Sequence, residues 1–245
     1  MIIKAYNGDH VGATGFFRNR ALNETVHDCV DVLDRPSIRV LFHAVSVGAE
    51  AYSFVIQRAH RHPGLDATRC DATDIDAEFL RAAGQADYPA QIVQAMTPDE
   101  SKWFEPSSQG RVRVMAKIRE RVRILPPTSY VGFESNVDYD VVFLLNSLLY
   151  VDGPSQRRTI DRIARYNTGL LVTTGFHLDR IKEDLGENGY HPVTKNIAAI
   201  HDGWTGRRSL EPGFMVPGIT HHTPYLPPFS TGPDSEYKYC AVFAK

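Results

Sequence analysis

The sequence predicts an α/β protein: a parallel sheet covered by helices on both faces. Three observations carry this expectation. Short, almost wholly apolar runs occur at 38–44, 140–145 and 169–175. Segments with apolar residues at helical spacing follow them. The strand–helix pair then recurs along the chain, the pattern of parallel strands joined by crossover helices.

Taken in order, the first clear strand is 38–44, Ile-Arg-Val-Leu-Phe-His-Ala. A helix over 48–62 follows, with Tyr52, Val55, Ile56 and Ala59 on one face. Asp66 to Thr73 is a weaker strand. Asp76 to Ala86 is a helix with Asp76 as N-cap and Glu78 in its first turn, where a carboxylate complements the helix dipole. Residues 140–145, Asp-Val-Val-Phe-Leu-Leu, form the most apolar strand, and a helix starts near Pro154. A strand over 169–175, a helix near 177–185 and a last strand over 237–245 complete the series. The basic–apolar alternation of 111–125 predicts half-exposed strand with a solvated edge face. Between 202 and 233, 11 of 32 residues are Gly or Pro, which predicts a long loop.

Composition narrows the class. The chain has 245 residues, 42% of them hydrophobic, the size of a single domain. With 27 basic against 29 acidic side chains, it lacks the positive excess of a nucleic-acid binder. Three cysteines, Cys29, Cys70 and Cys240, make neither a disulfide framework nor a metal site. No apolar run is long enough for a membrane span and the N-terminus lacks signal-peptide order, so a cytoplasmic protein is expected.

In an open parallel sheet, ligands bind beyond the carboxyl ends of the strands, where strand order reverses. Three strand ends here carry polar groups. The first is His43-Ala-Val-Ser-Val-Gly-Ala-Glu-Ala-Tyr-Ser53, in which Gly48 permits a tight turn and Glu50 opens the helix. The second holds Asp74, a carboxylate suited to a ribose diol, with Asp76 left to cap the helix. The third is Asn146 with Tyr150 nearby. The three share one reading, a nucleoside-containing cofactor.

Read in order, these residues resemble the catalytic domain of CheR-type chemotaxis receptor methyltransferases, from about Gly12 to about Thr174. The family's Asn-Glu-Thr-x-Phe-Phe-Arg is matched by Gly12-Ala-Thr-Gly-Phe-Phe-Arg18. Its Ser-Thr-Gly-Glu-Glu-Pro-Tyr-Ser is matched by Ser46-Val-Gly-Ala-Glu-Ala-Tyr-Ser53. Its Asp-Ile-Asp and Ala-x-x-Gly-x-Tyr motifs are met by Asp74-Ile-Asp76, Ala83-Gly84 and Tyr88. Its Phe-Asp-x-Ile-x-x-Arg-Asn-x-x-x-Tyr falls on Tyr139 through Asn146 to Tyr150, and its aromatic pair on Trp103-Phe104.

The resemblance implies a Rossmann-like class I methyltransferase fold with a mostly parallel seven-stranded sheet, and S-adenosylmethionine as cofactor, with S-adenosylhomocysteine as product. It implies cofactor contacts from Thr14, Arg18, Ser46, Gly48, Glu50, Asp74 and Asn146. Arg18 and Tyr150 are the implied catalytic residues, and no metal is called for. Departures from the pattern are Gly12 for Asn, Ala49 for Glu, Leu145 for Arg, and the adenine loop Leu125-Pro-Pro-Thr-Ser129.

The first motif begins at residue 12, so the family's helical N-terminal domain is expected to be absent, with 1–35 a helical lid segment of one domain spanning 1–245. The family's small antiparallel receptor-docking subdomain has no evident counterpart in the sequence, and 202–233 is extra. The expected activity is therefore methyl transfer to a small molecule or modified peptide, with no nucleic-acid or membrane partner. The alternatives are a protein glutamate O-methyltransferase and a protein that binds S-adenosylmethionine without transferring methyl. A carboxylate acceptor needs no general base, and Arg18 can clamp it in a fork. A hydroxyl or ammonium acceptor needs one, for which His10 and His43 are nearest in sequence, with His221-His222 in the extra loop.

Overall fold

The computed structural model describes residues 3–8, 10–62, 68–174, 178–205 and 230–245. The chain opens with a hairpin, β1 (Ile3–Asn7) and β2 (His10–Thr14), followed by α1 (Arg20–Val32), β3 (Ile38–His43), α2 (Ala49–Arg61), β4 (Thr68–Ala72) and α3 (Ala77–Gln85). Next come β5 (Asp87–Pro89), α4 (Pro98–Ser101), β6 (Phe104–Pro106), β7 (Arg111–Val114), α5 (Ala116–Arg119) and β8 (Val122–Ile124). The rest is β9 (Tyr139–Leu145), α6 (Gly153–Tyr166), β10 (Asn167–Thr174), α7 (Lys182–Glu187), β11 (His191–Pro192), α8 (Ile197–Thr205), α9 (Ser235–Tyr239) and β12 (Val242–Ala244).

The main sheet has seven strands in the order β11-β12-β10-β9-β3-β4-β8. The five strands from β10 to β8 run parallel, and β12 is antiparallel to both of its neighbours. This is the Rossmann-like, mostly parallel sheet expected from the sequence. Its central strands are buried on both faces. Val40 and Phe42 of β3 and Val141 and Phe143 of β9 join the core layer under α1 and α2. Leu41, Val142 and Leu144 point the other way, into the layer under α6 and α7. That is the period-two alternation of strands, with apolar residues needed on both sides.

Caps fix where the helices begin. Asp76 accepts from the Glu78 and Phe79 N–H groups, and Asp152 accepts from Ser155 N–H ahead of Pro154 in α6. Helix α2 carries Arg58 and Arg61 in its last turn, where positive charge complements the helix dipole.

Several expectations are corrected. The N-terminal segment 1–35, read as helical, contains the β1–β2 hairpin before α1. The strand expected over 111–125 is two strands, because α5 interrupts the alternation after Met115. Strand β7 is the middle of a separate three-stranded antiparallel sheet, β5-β7-β6, whereas β8 is an edge of the main sheet. The chain thus holds a small antiparallel sheet that its sequence did not reveal. Within the basic run, Arg111 on β7 pairs with Asp87 and Arg123 on β8 with Asp71. The final strand is only β12, since 235–239 is helical. Of the loop expected over 202–233, the first four residues end α8, and 206–229, including His221-His222, lie outside the described residues. No helix among the described residues is long and apolar enough to cross a membrane.

Candidate functional site

Strand order reverses at β3: β4 lies on one side of it and β9 on the other. The crevice beyond their carboxyl ends is where such sheets bind ligands. Its walls include Ala13, Thr14, Arg18, Phe42, Ser46, Glu50, Phe143 and Leu145. A contiguous hollow towards α1 shares Arg18, Glu50 and Leu145.

The turn from β3 into α2 is unusual backbone. Ala44, Ser46 and Gly48 all have positive φ, 49°, 52° and 89°. At Gly48 a side chain would stand 3.1 Å from both Ala83 Cβ and the Tyr52 ring, so glycine meets two demands there. The turn is held from both sides. Val45 N–H donates to Thr73 O at 3.1 Å, and the Tyr88 hydroxyl donates to Val47 O at 2.7 Å. The Ser46 hydroxyl is buried and has no hydrogen-bond partner within the protein, the sort of orphaned group a ligand satisfies.

Asp74, predicted to be free for a ligand, is partly committed. Its Oδ2 accepts from Ser46 N–H at 2.8 Å and its Oδ1 from Asp76 N–H at 3.1 Å. A carboxylate has about four acceptor positions, so backbone donors do not exhaust it and a hydroxyl donor can still be taken. Burial raises its pKa, against those backbone bonds. Asp76 caps α3 as expected and also receives Asn7 and His10 from the hairpin.

Thr14, Arg18 and Glu50 come together. The Thr14 hydroxyl bonds to Glu50 Oε2, Arg18 Nη1 lies 3.9 Å from Glu50 Oε1, and the same Nη1 donates to Ala13 O at 3.1 Å. Burial pushes the Glu50 carboxyl up to about 7, opposed by the Arg18 charge and by the Gly15 N–H and its own.

The remaining predicted residues are placed differently. Asn146, at φ 52°, turns its side chain onto the neighbouring strand, where Thr174 donates to Asn146 Oδ1 at 3.1 Å. Tyr150 is not among the residues lining the crevice: it is 79% exposed on the single turn Leu148–Tyr150. Of the two histidines nearest the motifs in sequence, His43 lines the crevice, with its Nδ1 buried and without a hydrogen-bond partner in the protein. His43 is buried 3.0 Å from the Tyr166 hydroxyl, and burial pushes its pKa down to about 3, which keeps it neutral. His10 pairs with Asp76 at 2.7 Å.

Sequence reasoning missed the apolar wall of Phe42, Phe143 and Leu145, and the hairpin's part in the site. The first leaves only core-like apolar letters. The second left a signal, the dipeptide Gly8-Asp9 between the paired Asn7 and His10, a sequence suited to two-residue hairpin turns. Among the described residues no group of three His, Cys, Asp or Glu side chains is placed to hold a metal.

A family model described as the SAM-binding domain of CheR methyltransferases matches residues 12–175. Chemotaxis protein methyltransferase 2 of Vibrio cholerae is 28% identical over 199 residues, covering 72% of this chain and 69% of that protein. A probable chemotaxis protein methyltransferase of Rhizobium etli is 27% identical over 209 residues, covering 75% and 76%. Magnesium protoporphyrin IX methyltransferase from Synechocystis, solved with bound SAM, is similar at a TM-score of 0.45 and 16% identity, covering 71% and 70%.

Proposed function

Since this chain belongs to the CheR methyltransferase family, we propose that it is a carboxylate O-methyltransferase acting on a protein. That it is a methyltransferase using S-adenosylmethionine follows from the family, and the crevice suits that cofactor. The unpartnered Ser46 hydroxyl, the close turn at Gly48 and the paired Glu50 are polar features a charged nucleoside ligand can use.

The observation that carries the choice of acceptor is the crevice's charge. It presents one guanidinium, Arg18; His10 is paired with Asp76, and His43, on the crevice wall, is made a weak base by burial, its pKa pushed down to about 3. A carboxylate is already ionised at neutral pH and needs no base, and a planar guanidinium matches it with two parallel donors. S-adenosylmethionine, when bound, supplies a sulfonium methyl that a nucleophile displaces in line. The protein's task is then alignment, an effect worth up to roughly 7–11 kcal/mol.

In this reading Glu50 faces the ammonium of the methionine portion, and Asp74 takes a ribose hydroxyl. Ser46, Gly48 and Asn146 shape the pocket floor. Thr14 fixes Glu50, Arg18 orients the acceptor, and Tyr150, exposed beyond β9, meets the acceptor at the mouth.

A protein acceptor is supported by the sheet β5-β7-β6, the kind of small antiparallel unit the resemblance associates with docking. It is supported too by relatives named chemotaxis protein methyltransferases. The small-molecule acceptor expected from sequence rested on the apparent lack of that sheet and on 202–233. The sheet is present, and most of that segment lies outside the described residues.

The test is incubation with radiolabelled methyl donor and cell extract, followed by separation of macromolecular from small-molecule label. Label on protein is the expected outcome. Label confined to small molecules overturns the proposed acceptor, and cofactor binding with no labelled product overturns transfer itself.

A further inference from the structure

The hairpin β1–β2 touches the site at four places, all from its inner face. In its register Asn7 pairs with His10, Ala5 with Gly12 and Ile3 with Thr14. At the tip, Asn7 Nδ2 donates to both Asp76 oxygens, at 3.1 and 3.0 Å, and His10 Nδ1 lies 2.7 Å from Oδ2. Gly12 lies so close to the turn after β3 that a Cβ there would stand 2.3 Å from Ser46 Oγ and 2.9 Å from the Phe79 ring. At the base, Thr14 bonds to Glu50.

Asp76 is therefore more than a helix cap. Its side chain is almost wholly buried although His10 is half exposed. Its own N–H donates to Asp74, whose other oxygen holds the Ser46 N–H. The hairpin tip is thus coupled, through one carboxylate and one peptide, to the acidic residue assigned to the cofactor's ribose. Ala13 and Thr14 of the same hairpin line the crevice.

We infer that the N-terminal hairpin is a wall of the cofactor site, and that Asn7 and His10, by gripping Asp76, set how fast the cofactor leaves. They are positioning residues: neither lines the crevice, and both act through Asp76 and Asp74. The inference rests on cofactor binding in this crevice and not on the identity of the methyl acceptor.

The test is dissociation of tritiated S-adenosylmethionine from the full chain, chased with excess S-adenosylhomocysteine. Hydrogen bonds to a charged acceptor are the stronger kind, so Asn7→Ala/His10→Ala should release cofactor about tenfold faster or more. Single-turnover methylation from the preformed complex should stay within about twofold, because the reacting groups are untouched. His10→Asn, which keeps a donor at the Nδ1 position, should recover slow release where His10→Ala does not. Gly12→Ala, which pries the hairpin off Ser46, should speed release by a separate route and covers the case of a double variant that does not fold. Release unchanged in all of these variants, or His10→Asn behaving as His10→Ala, overturns the inference. Failure of the parent protein to bind the cofactor would instead overturn the cofactor site itself.

Discussion

Arg18 and Glu50 oppose each other in the crevice with Nη1 and Oε1 3.9 Å apart, at the outer limit of an ion pair. The separation explains why the carboxyl remains hard to ionise. At that distance, inside a largely buried site, the guanidinium does not repay the loss of hydration, and burial prevails over the Arg18 charge.

The pH dependence of stability follows. Glu50 is raised from 4.5 to about 7, so the folded chain holds a proton that the unfolded chain has already lost. Its contribution is complete below about pH 4.5 and disappears as pH rises through about 7. Urea unfolding of the ligand-free protein should show the parent losing stability across that window relative to Glu50→Gln. Equal pH slopes in the two proteins would refute the assignment.

Arg18 should separate binding from turnover. Arg18→Ala is expected to lower single-turnover methylation by about a hundredfold while S-adenosylhomocysteine affinity changes by less than about tenfold. Arg18→Lys should recover only part, because a point charge lacks the guanidinium's two parallel donors. Calorimetric titration beside rapid-quench kinetics checks both halves. Equal losses in affinity and rate would place Arg18 on the cofactor alone.

Gly48→Ala should destabilise the fold by about 1–3 kcal/mol, since it combines a left-handed φ with contact at 3.1 Å to Ala83 and Tyr52. Denaturant titration measures this. The same variant should weaken cofactor binding, because the turn it distorts carries Ser46.

Tyr150 is exposed, so Tyr150→Phe should leave both melting temperature and S-adenosylhomocysteine affinity unchanged. A lowered kcat/KM for the acceptor would support its placement at the mouth. Unchanged kinetics would remove it from the site.

The central strands, α2 and the Asp76 cap were legible because local chemistry dictates them: a strand buried on both faces must be apolar throughout, and a cap is a three-residue affair. The β5-β7-β6 sheet was not, because β5 and β6 are three residues each and show no period. The alternation of 111–125 misled for the opposite reason. It resumes on the far side of Val114-Met115-Ala116, where the chain has turned into α5 and changes sheets. Glu50 and Asp74 stood out through their motifs, yet the grip of Asn7 and His10 on Asp76 joins positions 69 and 66 residues apart, which no local pattern reveals.

The most direct test of protein carboxylate methylation is the alkali lability of the transferred label. Protein labelled from tritiated S-adenosylmethionine in extract should release the label as volatile methanol under mild base, since an ester hydrolyses where an N-methyl group does not. Protein-bound label that survives base would contradict the account.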